Sequence, residues 1–171
     1  MESYVAFEPG IWRPLASLIL ASAVIMGSPG PSTISVTAVG ASFGIRRSLR
    51  YTCGLIAGSI AVLLMVAIGV VAFVTSIPYG ARVLSVISAA YILFLAFKIA
   101  TAPPLESQRT EMAAPAFTGG FVLAIANPKA YLAMTAVFAG TTIMAEHRGL
   151  DALVKTAVLS VMIVAIHVCW L

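Results

Sequence analysis

The chain has 171 residues, of which 61% are hydrophobic and only 9% charged, and its mean hydropathy is +1.06. Soluble domains carry about 25% charged residues, so a water-soluble fold of this size is excluded and lipid is the solvent the composition demands. The formal charge of +4 arises without any basic cluster interleaved with aromatics, which argues against a nucleic-acid partner.

A spanning helix needs about 20 apolar residues, and the charged positions divide the chain into five such segments. The first is expected over about 12–38. Leu15 to Met26 also has the length of a signal-peptide core, but the segment before it is acidic, with Arg13 as its one basic residue, which speaks against cleavage. Arg46, Arg47 and Arg50 then mark a basic turn. Span 2 is expected over about 50–74, followed by a short turn, and span 3 over about 81–101, with Arg82 and Lys98 near its ends. A polar link, 102–116, carries three prolines and three charges. Span 4 follows over about 117–145, closed by the polar "EHRGLD", and span 5 over about 153–171. The whole chain, 1–171, reads as one all-α integral membrane domain, a polytopic helix bundle. The arginine-rich first turn places the 39–50 and 102–116 loops in the cytoplasm and the N-terminus outside.

Two spans contain residues that a lipid-embedded helix avoids. Span 1 holds "SPGPST", with Pro29, Gly30, Pro31 and Ser32, and span 4 holds "ANPKAY", with Asn127, Pro128 and Lys129. An internal proline costs a helix ~3 kcal/mol, and a lysine at bilayer depth a further ~3 kcal/mol on insertion scales. Non-helical backbone at membrane depth survives only inside protein or beside a wet cavity. Spans 1 and 4 are the first members of two sets of three, if a sixth helix completes the second set. Matching interruptions in two halves mark a transporter's central site, where half-helix ends meet a polar solute. Lys129 would supply positive charge to a substrate carboxylate. The same residues also fit a plainer reading, with Pro128 as the first residue of a helix, Asn127 its cap and Lys129 an interfacial anchor.

These motifs carry a resemblance. "GSPGPST" before a basic turn, "GLIAGS", "AAYILFLAFK" and "GGFVLAIANPKAYLAM" resemble the LysE-type amino-acid exporters, including the homoserine/threonine-exporter branch, over residues 15 to 145. The resemblance implies a six-helix exporter of small amino acids or their derivatives in the cell inner membrane, driven by the proton gradient, with no cofactor. It also implies site residues Pro29, Gly30, Pro31, Ser32, Asn127, Pro128 and Lys129. The chain departs from that family at three points. Ser32 stands where many members have asparagine, Ser59 where many have an acidic residue, and the last helix is missing. Glu2, Glu8, Glu106, Glu111, Glu146 and Asp151 all fall outside the predicted spans, so coupling through a buried carboxylate has no support.

Other classes fit less of the sequence. Ser28, Ser32 or Ser35 with His167 as base would make an intramembrane hydrolase, but nothing fixes their spacing. A truncated, non-transporting subunit would use Gly54 and Gly58 as a close helix contact with a partner; the same pair also fits packing within one bundle. Cys53 and Cys169 lie in apolar segments and fit small packing residues. His147 and His167 suggest neither a metal nor a catalytic pair. The expected partners are an amino acid and the lipid bilayer; a homo-oligomer is left open.

Overall fold

A computed structural model describes residues 10–69, 76–79, 82, 86 and 115–171. Predicted span 3, apart from Arg82 and Val86, the end of predicted span 2 and nearly all of the 102–116 link lie outside the described residues. Among the described residues the secondary structure is helical, with no strand. There are five helices: α1 (Trp12–Ile25), α2 (Pro31–Ala67), α3 (Phe117–Ile125), α4 (Pro128–Ala139) and α5 (Arg148–Trp170).

Two of these, α2 and α5, are long and apolar enough to cross a membrane; a third span results if α3 and α4 count as one. That is two or three of the five expected, counted among the described residues, outside which most of expected span 3 lies. Helix α1 has 14 residues, about 21 Å of rise against a hydrocarbon core of ~30 Å, and so cannot cross alone. The apolar surface nevertheless faces outward as lipid requires: Leu20, Val24, Leu132 and Val161 are each about two-thirds exposed or more.

The basic turn expected over 39–50 is corrected to a single-residue corner. Helix α2 runs for 37 residues through it, interrupted only at Gly44, with φ 76° and ψ 160°. That region is essentially reserved for glycine, because a Cβ would clash there. A continuous helix would separate residues 39 and 48 by about 13 Å along its axis. Instead the Ser48 hydroxyl donates to the Val39 carbonyl at 3.0 Å and to that of Gly44 at 2.8 Å, so the chain folds back sharply at Gly44. Arg46, Arg47 and Arg50 are exposed on the helix that leaves the corner.

Two further boundaries move. Residues 140–147 are non-helical, so the segment expected as a span to 145 ends at Ala139. Helix α5 begins at Arg148 rather than near 153, which brings Asp151, expected in the polar loop, onto one helix with Lys155 of expected span 5, and the two form a buried ion pair of 2.7 Å.

Packing then sets the positions of the breaks. Helices α2 and α3 approach backbone to backbone: a Cβ on Gly58 would lie 2.7 Å from both the Ala124 Cβ and the Phe121 carbonyl oxygen, and Gly54 meets the Phe117 carbonyl. Gly120 of α3 returns the contact against the Tyr51 carbonyl. Small residues let membrane helices come this close, where dispersion rather than hydrophobic exclusion holds them together. Leu18, Val62, Leu63, Met134, Leu159 and Ile163 form the main core, drawn from α1, α2, α4 and α5. This arrangement stacks the start of α4 on the start of α2.

Candidate functional site

Each of the two starts is built by its own local sequence. Pro31 occupies the first position of α2, where its missing N–H would be unpaired anyway. Gly30 precedes it as an extended residue; its N–H donates to the Thr33 hydroxyl at 2.8 Å, and that hydroxyl donates back to the Gly30 carbonyl at 3.1 Å. Pro128 takes the same first position in α4, and the Asn127 side-chain oxygen caps it by accepting from the Lys129 N–H at 3.1 Å. Helix α3 ends directly before this cap, and α4 leaves at an angle of 60° to it.

The two breaks then bond to each other. Asn127 Nδ2 donates to the Ser32 hydroxyl at 2.9 Å, and both side chains are buried. The Lys129 ammonium reaches across to α1–α2, donating to the Ser28 carbonyl and, at 3.1 Å, to the Pro29 carbonyl. Those carbonyls lie between helices and have no helical partner, so the lysine satisfies them. Gly30 lets its stem pass: a Cβ there would sit 2.6 Å from Lys129 Cδ. Lys129 therefore caps like a structural residue through its backbone while its side chain spans the break of the other half.

Beside this junction is a cleft whose enclosed space, open to water-sized atoms, is about 40 Å³. That is well below the ~300–1,000 Å³ typical of small-molecule sites, so a solute enters only as the cleft widens. Its polar wall comprises Ser32, Thr33, Ser59, Asn127, Lys129 and His167; Met26, Met134 and Ile163 supply an apolar side. Two helix N-termini, each a partial positive charge, open onto it together with the ammonium of Lys129. Among the described residues no carboxylate lines it. The described acids that could offer a counter-charge are Asp151, which is paired with Lys155, and the exposed Glu146.

Of the residues singled out from sequence, Gly30, Ser32, Asn127 and Lys129 line the cleft, and Pro29 contributes its carbonyl to Lys129. Pro31 and Pro128 shape the helix starts without lining it. Sequence reasoning missed Thr33 and His167 as wall residues and noted Ser59 only as a departure. Thr33 was legible in principle, three residues after the cap position where a side chain reaches back. His167 carried no local signal, since only the packing of α5 brings it here. Among the described residues no group of histidine, cysteine and acidic side chains is placed to hold a metal.

A family model described as LysE type translocator matches residues 23–171. The chain belongs to the LysE-type translocator family. It is a transporter of the membrane, not an enzyme. Similar curated proteins carry the description "Cysteine/O-acetylserine efflux protein". That of Escherichia coli strain K12 is 34% identical over 146 residues, covering 84% of this chain and 73% of the relative. That of Escherichia coli O1:K1 / APEC is 32% identical over 145 residues with the same coverage, and that of Shigella flexneri serotype 5b is 34% identical over 146. No solved structure matches the chain.

Proposed function

We propose that this translocator exports small amino acids, or derivatives with a free carboxylate, across the cell inner membrane, through the cleft between the starts of α2 and α4. The observation that carries the reading is the state of Lys129. An ammonium has three donors, and two are spent on the Ser28 and Pro29 carbonyls. Neither acceptor neutralises its charge, and among the described residues no carboxylate faces it. A half-buried cation without a counter-ion is unfavourable in a bundle surrounded by lipid, so an anionic group entering the cleft meets one free donor, an uncompensated charge and two helix N-termini. A substrate carboxylate has that chemistry. The relatives described as cysteine/O-acetylserine efflux proteins favour a small, uncharged side chain on the substrate.

In this reading α1 with the first part of α2, and α3 with α4, are the two interrupted spans of a 3+3 repeat whose breaks meet at the site. The exposed arginines after Gly44 face the cytoplasm. The orientation is tested by labelling an exposed position on that helix, Leu49→Cys, with an impermeant thiol reagent. Labelling in intact cells would reverse it; Ser48 is unsuitable because it is fully buried.

The site is tested by efflux of labelled L-cysteine, O-acetyl-L-serine, L-homoserine and L-threonine from loaded proteoliposomes. Lys129→Met keeps the apolar stem and removes the charge, so efflux of every transported substrate should be nearly abolished with insertion intact. Lys129→Arg, which keeps the charge in a wider, planar head, should retain part of it. Wild-type efflux from a well-inserted Lys129→Met protein would reduce Lys129 to a structural tie between the breaks.

A further inference from the structure

Opposite in character to Lys129 is the other titratable side chain in the cleft wall, His167 of α5. It is 6% exposed. Its Nδ1 lies 2.8 Å from the carbonyl oxygen of Ile163, one helical turn earlier. A carbonyl only accepts, so Nδ1 carries the hydrogen and donates it. In the neutral ring this leaves Nε2 as a bare acceptor. Nε2 is buried and has no hydrogen-bond partner among the described residues. Packing does not demand this arrangement: a back-bonded imidazole in a purely structural place would be more cheaply replaced by an aliphatic side chain. A buried acceptor left unpaired on a residue of the cleft wall is instead a place for a donor once the cleft widens.

We propose that Nε2 of His167 receives the α-ammonium of the substrate, so that the cleft recognises the zwitterion: carboxylate at Lys129, ammonium at His167. This rests on the reading of the cleft as the transport site and assigns it a second pole. The two residues come from different helices, α4 and α5, and line one cavity whose other walls are uncharged: Ser32, Thr33, Ser59 and Asn127 on one side, Met26, Met134 and Ile163 on another. Such a wall accepts a small uncharged side chain and offers a third charge nothing to pair with. The substrate class that follows is the small neutral α-amino acid with a free amino group. Deaminated relatives keep the carboxylate but lose the donor that His167 requires, while N-acylated ones keep one amide N–H but lose the charge and add bulk.

The test compares binding of L-cysteine and 3-mercaptopropanoate, which differ only in the ammonium, to the full chain in lipid nanodiscs under reducing conditions. Wild type should prefer cysteine by about a hundredfold, the scale on which sites built around a buried polar group reject an analogue lacking its partner. His167→Leu should weaken cysteine binding by about 10–100-fold and leave 3-mercaptopropanoate within about threefold, so the preference collapses. His167→Phe keeps a ring in place without the nitrogen and should behave alike, which serves if the leucine variant folds poorly. A preference that survives in either variant, or that wild type never shows, overturns the assignment. Lys129→Met separates the two levels of the argument. If it loses both ligands while the His167 variants keep their preference, the cleft stands and His167 does not; if wild type binds neither ligand, the cleft itself is the wrong site.

Discussion

Lys155 and Lys129 stand at opposite ends of α4 and do the same local job with different outcomes. Each sends its ammonium to two backbone carbonyls that a helix break has left without partners. Lys155 donates to Phe138, in the last turn of α4, at 2.9 Å and to Thr141, just beyond it, at 3.0 Å, and lies 4.4 Å from the centre of the Phe138 ring. Its third donor meets the Asp151 carboxylate at 2.7 Å, and both side chains are almost wholly buried. The other oxygen of Asp151 accepts from the Ile143 and Met144 N–H groups at 2.6 and 2.9 Å. Every donor is used and the charge is cancelled, so this end is closed. Lys129 has two carbonyls, no carboxylate and a cleft beside it. The difference teaches how to tell a tie from a site in a membrane helix bundle: count the donors left over and ask where the counter-charge is.

The largest expected effect tests that contrast directly. Asp151→Ala orphans a buried cation and two backbone N–H groups together, and breaking a buried pair from one side costs about 3–5 kcal/mol. Thermal unfolding in detergent should show that loss, while Lys129→Met should cost at most about 1 kcal/mol, since it removes an uncancelled charge and the Ser28 and Pro29 carbonyls it frees border the cleft, where water can replace the ammonium. Equal destabilisation by the two variants would erase the distinction between them.

Gly58→Leu should come next, at about 2–3 kcal/mol, because the added side chain has backbone and the Ala124 methyl in its way. It acts on the α2–α3 contact that brings the two breaks together, so efflux should fall further than stability, and the Asp151–Lys155 end should be spared. The fitting control is Leu64→Ile, at a half-exposed position, expected within about 0.5 kcal/mol. Leu63 is no control, being fully buried. A Gly58→Leu protein as stable as the Leu64→Ile protein would show that α2 and α3 do not need this approach.

What the sequence revealed and what it hid divide along the same line. Pro29, Gly30, Pro31 and Pro128 announce themselves because proline and glycine restrict their own backbone whatever surrounds them. Lys129 is conspicuous because a charge in an apolar run is expensive anywhere. The Asp151–Lys155 pair, four residues apart, was visible but was split between the polar loop and the expected fifth span, since charged residues beside glycine also mark a loop; the carboxylate in the first turn of a helix is the signal that points the other way. Gly44 hid a corner because a single positive φ leaves no mark beyond the glycine itself. His167 hid a wall of the cleft because its meaning lies in what α5 packs against, which no local pattern encodes.

Asn127→Ala should cost about 1–2 kcal/mol, from the lost cap on α4 and the lost bond to Ser32. Ser32→Ala should cost less, about 1 kcal/mol, because the Asn127 amide it strands borders the cleft, where water can take the place of the hydroxyl. The smallest effect is therefore their coupling. A double-mutant cycle on Ser32→Ala and Asn127→Ala should give an interaction of about 0.5–1 kcal/mol, read from unfolding midpoints of the four proteins. The same cycle on Asp151→Ala and Lys155→Met should give several times as much, because there the partners are charged, buried and short of any substitute. The cleft end must bind and release a solute, so its ties are weak and replaceable by water; the far end carries no such demand. Coupling at Ser32–Asn127 as strong as at Asp151–Lys155 would mean that the two breaks are bolted rather than held, and a cleft so fixed could not be the part of the bundle that opens and closes on a substrate.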